Sequence, residues 1–214
     1  MPPIGFDRLT EIPEDALVEA VFADPLLSRG IGAPPSIQSA YYSRFRVKFS
    51  DLGLPAELRG DADALLIAYG RPDIATAVEF KRVKITADSF RTDQINKLPE
   101  LKKAVRQANT LHRAGFAYCW LSVLIVADVR FLTHGVSFAG PPLRFIEQVR
   151  SAIPENSLAP GVGLQLCVIS QVSDAPADER GGAGWKLVRL ATAQAQPEAL
   201  TARIYSLFAE PVAT

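Results

Sequence analysis

The feature that most constrains this chain is a pair of short apolar segments joined by a turn. Residues 64–69 (ALLIAY) form one apolar run, and residues 74–80 (IATAVEF) form a second that is rich in β-branched and apolar residues. The sequence GRPD at 70–73 is a strong turn signal. The segment therefore predicts two antiparallel strands, with a turn centred near residue 71 or 72.

Acidic and basic residues lie at the outer ends of this predicted hairpin. Asp63 opens the first strand and falls opposite Glu79 or Lys81 at the end of the second. Because side chains alternate along a strand, Glu79 and Lys81 share one face, and Phe80 points to the other. A register slip of one residue would move Asp63 to the wrong face. In the right register, two carboxylates and a lysine meet, which can hold a hard divalent cation and place a water beside it.

This spacing resembles the motif of the PD-(D/E)XK nuclease superfamily, which has the restriction-endonuclease-like fold. The motif is an Asp, a spacer and then Glu-x-Lys on adjacent strands, and the resemblance covers roughly residues 58–126. It implies an α/β core whose mixed β-sheet is flanked by helices. It also implies Mg²⁺ (or Mn²⁺) bound by Asp63 and Glu79 as metal ligands. Lys81 would then act on the attacking water or on the charge of the transition state.

The sequence departs from the motif in ways that leave alternatives open. Ala62 stands where the motif has a proline, and Asp61 is a rival ligand for the metal. A literal Pro-Asp pair ends at Asp73, but at about 3.3 Å per residue Asp73 lies roughly 20 Å from Glu79 along the strand. An acid and a lysine two residues apart at a strand end also occur as a solvated edge or a cross-strand ion pair.

The segment after the motif is basic and predicts a helix from Pro99. Between residues 81 and 113 there are nine Lys or Arg and three Asp or Glu, although the whole chain has no net charge. The resemblance implies a helix glutamine at the site, for which Gln107 is the better candidate and Gln94 the second. An inner apolar stripe is predicted at Leu101, Ala104, Val105, Ala108 and Leu111. Basic side chains outside it would bind a DNA backbone without reading sequence: Lys97, Lys102, Lys103 and Arg106.

The rest of the chain alternates between predicted helices and strands, which favours one α/β domain over residues 1–214. The nuclease-like core is expected at about 42–127, with strands and a helix from 141–210 completing the sheet. Arg44, Arg46 and Lys48 are predicted to share one face of a strand at 42–49. Helices are predicted at 13–22, 141–149 and 197–208, strands at 117–127, 163–172 and 185–190, and a mobile polar segment at 174–184.

The expected compartment is the cytoplasm. No apolar run reaches the roughly 18–20 residues of a membrane span. Residues 1–20 lack the basic start and apolar core of an export signal. Cys119 and Cys167 form neither a CxxC motif nor a disulfide framework.

The functional hypothesis is Mg²⁺-dependent hydrolysis of phosphodiester bonds in DNA, with a homodimer or a partner subunit as a further possibility. The alternative is a non-catalytic module on the same fold, which binds nucleic acid or protein within a defence or repair complex. A third interpretation is a structural or regulatory protein unrelated to nucleic acid, and it predicts no salt-dependent binding of DNA.

Overall fold

The computed structural model describes residues 9–28, 30–31, 41–130, 141–171 and 181–209. These residues form a six-stranded mixed β-sheet flanked by helices. The strands are β1 (Tyr41–Lys48), β2 (Asp61–Ala68), β3 (Arg71–Ile85), β4 (Tyr118–Asp128), β5 (Val162–Gln171) and β6 (Gly181–Arg189). The α-helices are α1 (Glu14–Ala23), α2 (Pro25–Ser28), α3 (Ala87–Thr92), α4 (Leu101–Ala114), α5 (Leu143–Ser151) and α6 (Glu198–Ala209). Short 3₁₀ turns occur at Leu9–Glu11, Leu98–Glu100 and Glu155–Ser157.

The strands lie in the sheet in the order of the chain. The first three form an antiparallel meander, β3, β4 and β5 run parallel, and β6 returns antiparallel to β5. The central strand β4 is apolar and almost wholly buried, as expected for a parallel strand covered on both faces. The predicted mixed α/β architecture is therefore confirmed, and β5 and β6 extend the same sheet.

Two hydrophobic cores cover the two faces of the sheet. The helices α4, α5 and α6 contribute to one core, and α1 contributes to the other. The predicted inner stripe of α4 is confirmed, because all five of its residues are buried. The predicted helices at 13–22, 141–149 and 197–208 match α1, α5 and α6 within two residues. No helix in the described ranges is long and apolar enough to cross a membrane.

The predicted hairpin forms between β2 and β3, but its turn lies earlier than expected. The turn is at residues 69–70, and Ala68 pairs with Arg71. The register then shifts, so that Leu66 pairs with Thr76. β3 has three more residues than β2 between these pairs. This bulge restores the register that a turn centred at residue 71 would have produced, although the turn itself is elsewhere.

The prediction that Arg44, Arg46 and Lys48 share a face of β1 is wrong. Arg46 has a φ of 53°, which breaks the alternation of side chains along the strand. Arg46 forms an ion pair with Asp15 of α1 at 2.8 Å. Arg44 instead donates a hydrogen bond to the carbonyl of Leu207 in α6, at 3.1 Å. The two arginines therefore extend to helices on opposite faces of the sheet.

The strand predicted at 185–190 begins earlier, at Gly181. Residues 181–184 were expected to belong to a mobile segment, but they pair with residues 168–171 of β5. Their glycines carry no side-chain pattern from which a strand could be recognised, whereas the ladder needs only backbone groups. Residues 174–180 of the predicted mobile segment lie outside the described residues.

Gln196 joins the starting ends of β3 and β4. Its Nε2 donates to the carbonyl of Pro72 at 2.7 Å, and its Oε1 accepts from the amides of Ala75 and Ala117 at 3.2 and 3.3 Å. Gln196→Ala is expected to lower the free energy of unfolding by about 2–3 kcal/mol, because two part-buried amides lose their acceptor. Urea unfolding measures this change, and exposed Gln94→Ala is the control, expected within about 0.5 kcal/mol of wild type. An equally small change for Gln196→Ala would contradict this role.

Candidate functional site

The candidate site lies where β2 separates from β3. The described pairing between these strands ends at Ala64, so the edge of β3 beyond it lacks a strand partner from β2. Two carboxylates bind this edge instead. The amide of Phe80 donates to Asp63 Oδ2 at 2.6 Å, and the amide of Arg82 donates to Glu14 Oε2 at 2.6 Å. Alternate amides of a strand point to the same edge, so the two carboxylates are neighbours along β3.

Lys81 is held at this edge by the same glutamate. Its Nζ lies 3.4 Å from Glu14 Oε1, and its side chain is 28% exposed. Glu14 therefore uses one oxygen for the backbone of β3 and the other for the lysine. Sequence reasoning missed Glu14, because an acidic residue in the first turn of a helix is ordinarily explained by the helix dipole. No local signal links α1 to β3.

Glu79 is the most constrained acid of the group. Its side chain is 3% exposed, and no residue in the described ranges forms a hydrogen bond with its Oε2. The pKa of Glu79 is raised to about 9, first by burial and then by the nearby charge of Asp63, while Lys81 acts in the opposite direction. Without a bound cation, Glu79 is therefore protonated at neutral pH.

Asp63 is half-buried and electrostatically linked to Glu79. Burial raises the pKa of Asp63 to about 6, against the stabilising hydrogen bond from the Phe80 amide. The carboxylates of Asp61 and Glu14 also raise this pKa. Negative charge is therefore crowded at the site, and the rival ligand Asp61 is close enough to contribute to it.

A surface hollow opens over Asp63 on the side of α1. Its lining residues are Glu14, Asp15, Val18, Glu19, Phe45, Arg46, Asp63 and Phe80. Glu79 and Lys81 do not line it, in agreement with strand alternation, which turns them away from Phe80. The two predicted metal ligands thus meet at the edge of β3, but only Asp63 faces the hollow.

Asp63 and Glu79 are the two carboxylates predicted to hold a metal. No group of three or more His, Cys, Asp or Glu residues is arranged to hold a metal within the part of the chain that the structure describes. Mg²⁺ usually keeps several waters and binds through one or two carboxylates together with substrate phosphate. The unbonded oxygen of Glu79 and the crowded charge beside Asp63 fit such a cation, which would relieve both.

The predicted glutamines are not joined to this group by hydrogen bonds. Gln107 is half-buried on α4, and within the described residues no hydrogen bond links it to Asp63, Glu79 or Lys81. Gln94 is exposed between α3 and α4. Their role at the site stays a prediction.

The predicted DNA-binding cations lie on accessible surface. Those on α4 are all exposed: Lys102, Lys103 and Arg106. Lys97 is also exposed, and its Nζ is 3.9 Å from Glu100. Burial lowers the pKa of Lys84, and the positive charges of Arg82 and Lys97 lower it further. Positive charge is therefore concentrated around the carboxyl end of β3 and at Lys97, which follow the candidate site in the sequence.

Comparison of the chain with models of known protein families gives no match, and a search of curated proteins gives none either. The fold and site define the class as a mixed α/β protein with an acidic cluster and a lysine at the edge of a central strand.

Proposed function

We propose that this protein is a Mg²⁺-dependent nuclease that cleaves DNA, with a restriction-endonuclease-like core. The observation that carries the proposal is that the charge of Asp63 acts on Glu79, whose buried carboxyl has an oxygen without a hydrogen-bond partner among the described residues. A buried acid without a partner is costly unless a cation or a proton neutralises it. A divalent cation beside both acids offsets that cost.

Each residue has a distinct role in this proposal. Asp63 and Glu79 would hold the metal ion, and Glu79 must lose its proton for this. When bound, Mg²⁺ supplies positive charge that stabilises the scissile phosphate during attack by water. Lys81 provides a fixed cation at the same edge, where it orients the attacking water or stabilises developing negative charge.

The surrounding fold supports the same proposal. The strands β2 and β3 are joined by a turn, and after them come α3, α4 and the strand β4, which is parallel to β3. The nuclease resemblance implies the order strand, turn, strand, long basic helix and strand around its motif. The exposed cations Lys97, Lys102, Lys103 and Arg106 follow the site and suit a phosphate backbone.

The test is cleavage of mixed single- and double-stranded DNA in Mg²⁺, in Mn²⁺ and in EDTA. Wild type is expected to cut only with metal, and Asp63→Asn to lose roughly 100- to 1000-fold in rate, because it removes a charged ligand. Asp73→Asn is the matched control. Asp73 is the acid of the literal Pro-Asp pair, is exposed and pairs with Arg71 at 2.8 Å. It is expected to leave the rate unchanged.

Three results would contradict the proposal. Metal-dependent cleavage that survives Asp63→Asn would place the site elsewhere, and loss only in Asp73→Asn would reassign it to the other end of the hairpin. No cleavage by wild type in any metal would remove the enzymatic proposal.

A second candidate function is a non-catalytic binding module on the same fold. The burial of Glu79 favours it, because that carboxyl is 3% exposed and lies outside the surface hollow. This candidate predicts DNA binding that does not depend on metal. Calorimetric titration with Mn²⁺ separates the two, since the nuclease proposal requires binding that Asp63→Asn abolishes.

A further inference from the structure

We propose that Glu14 of α1 is a positioning residue that holds the Lys81 ammonium at the edge of β3 for catalysis. This inference rests on the proposed nuclease function. Glu14 comes 67 residues before Lys81, and no motif in the sequence connects the two. The structure brings them together through two contacts of one carboxylate.

The first contact orients the carboxylate. Glu14 Oε2 accepts a hydrogen bond from the backbone amide of Arg82 at 2.6 Å, and the Glu14 side chain is 30% exposed. A backbone amide of a paired central strand is a fixed donor, so it sets the position of the carboxylate group. The other oxygen is thereby directed to Lys81 Nζ, at 3.4 Å.

The second contact controls where the lysine charge lies. A lysine ends in a flexible four-carbon chain and has many accessible positions in water. Glu79 is a competing acid that senses this charge, because Lys81 lowers its pKa. If Lys81 paired directly with Glu79, it would compete with the metal for that carboxylate. Glu14 gives the ammonium a separate anionic partner, so Glu79 stays available for metal.

Glu14→Gln tests this role. The glutamine oxygen still accepts from the Arg82 amide, but the negative charge that holds Lys81 is lost. We expect kcat to fall roughly 10- to 100-fold with little change in KM, because a displaced catalytic group costs about that much. Glu57→Gln is the matched control. Glu57 is exposed, does not line the hollow over Asp63 and is expected to have no effect on kcat.

A double-mutant cycle distinguishes positioning from a general structural effect. If Glu14 acts through Lys81, Glu14→Gln adds little to the loss already caused by Lys81→Ala. In parallel, mass spectrometry should show faster reductive methylation of Lys81 in Glu14→Gln than in wild type. This labelling does not depend on nuclease activity.

The outcomes separate this inference from the proposed function. A wild type that cuts with metal, combined with additive effects or unchanged labelling of Lys81, would overturn the role of Glu14 and leave the nuclease proposal intact. A wild type that never cuts would overturn both.

Discussion

Glu79→Gln is expected to abolish metal-dependent DNA cleavage and to make the protein more stable at neutral pH. Cleavage is lost because a neutral amide is a poor ligand for Mg²⁺. Stability rises because the substitution removes the cost of a buried carboxyl, one oxygen of which has no hydrogen-bond partner among the described residues. We expect the free energy of unfolding at pH 7 to increase by about 2–3 kcal/mol, with part of the gain offset by the buried amide.

The direction of the change in unfolding free energy at each pH follows from the pKa of Glu79. The pKa of Glu79 is raised from its ordinary value of 4.5 to about 9 in the folded protein. Between those two values the folded state holds a proton that the unfolded state has released, so stability falls as pH rises. Below about pH 4.5 both states are protonated. The advantage of Glu79→Gln should therefore be absent at pH 4, grow through pH 7 and level off above pH 9.

Urea unfolding of wild type and Glu79→Gln at several pH values measures this difference. Glu57→Gln, at an exposed position, is the control and should follow wild type at every pH. Added Mg²⁺ should stabilise wild type and leave Glu79→Gln unchanged. Destabilisation by Glu79→Gln at all pH values would mean that the carboxyl has a favourable partner in the folded protein.

Replacing with alanine the four exposed cations that follow the site in the sequence is expected to remove most of the salt dependence of DNA binding. Each phosphate contact contributes about −0.9 to the slope of log K against log salt. Four contacts from Lys97, Lys102, Lys103 and Arg106 would cost wild type roughly 100-fold in affinity between 50 and 200 mM salt. The fourfold alanine variant should lose that dependence and bind weakly at low salt as well.

Fluorescence anisotropy with labelled DNA measures these slopes, and the variant needs a control of equal charge change. Four exposed cations elsewhere in the described residues provide it: Arg59, Arg71, Arg150 and Lys186. Their replacement should leave the slope almost unchanged. If both variants lose the salt dependence equally, DNA is attracted by overall charge. If neither variant loses it, α4 and Lys97 do not contact DNA.

Local patterns in the sequence were enough to predict the elements around the site. The spacing of apolar residues predicted the buried stripe of α4, because a helix repeats every 3.6 residues whatever it packs against. Apolar runs and a turn signal predicted the β2–β3 hairpin. They left two registers open beside Asp63, and the observed pairing of Ala64 with Val78 matches the one centred at residue 71.

Features that depend on several elements could not be predicted in this way. A positive φ cannot be recognised from the sequence at a residue other than glycine. At Arg46 it directs the side chain to α1. Glu79 is buried because other elements of the fold pack around β3, and this burial raises its pKa.

The sequence by itself determined most of the helices and strands, the existence of the hairpin and the candidate acids and lysine, because each of these depends on residues close together in the chain. Only the tertiary structure decided that Glu14 binds Lys81 and the backbone of β3. That contact exists because β2 separates from β3 and leaves backbone amides that need an acceptor. Neither the separation of β2 from β3 nor the contact of Glu14 with Lys81 can be recognised from the residues next to Lys81 in the chain.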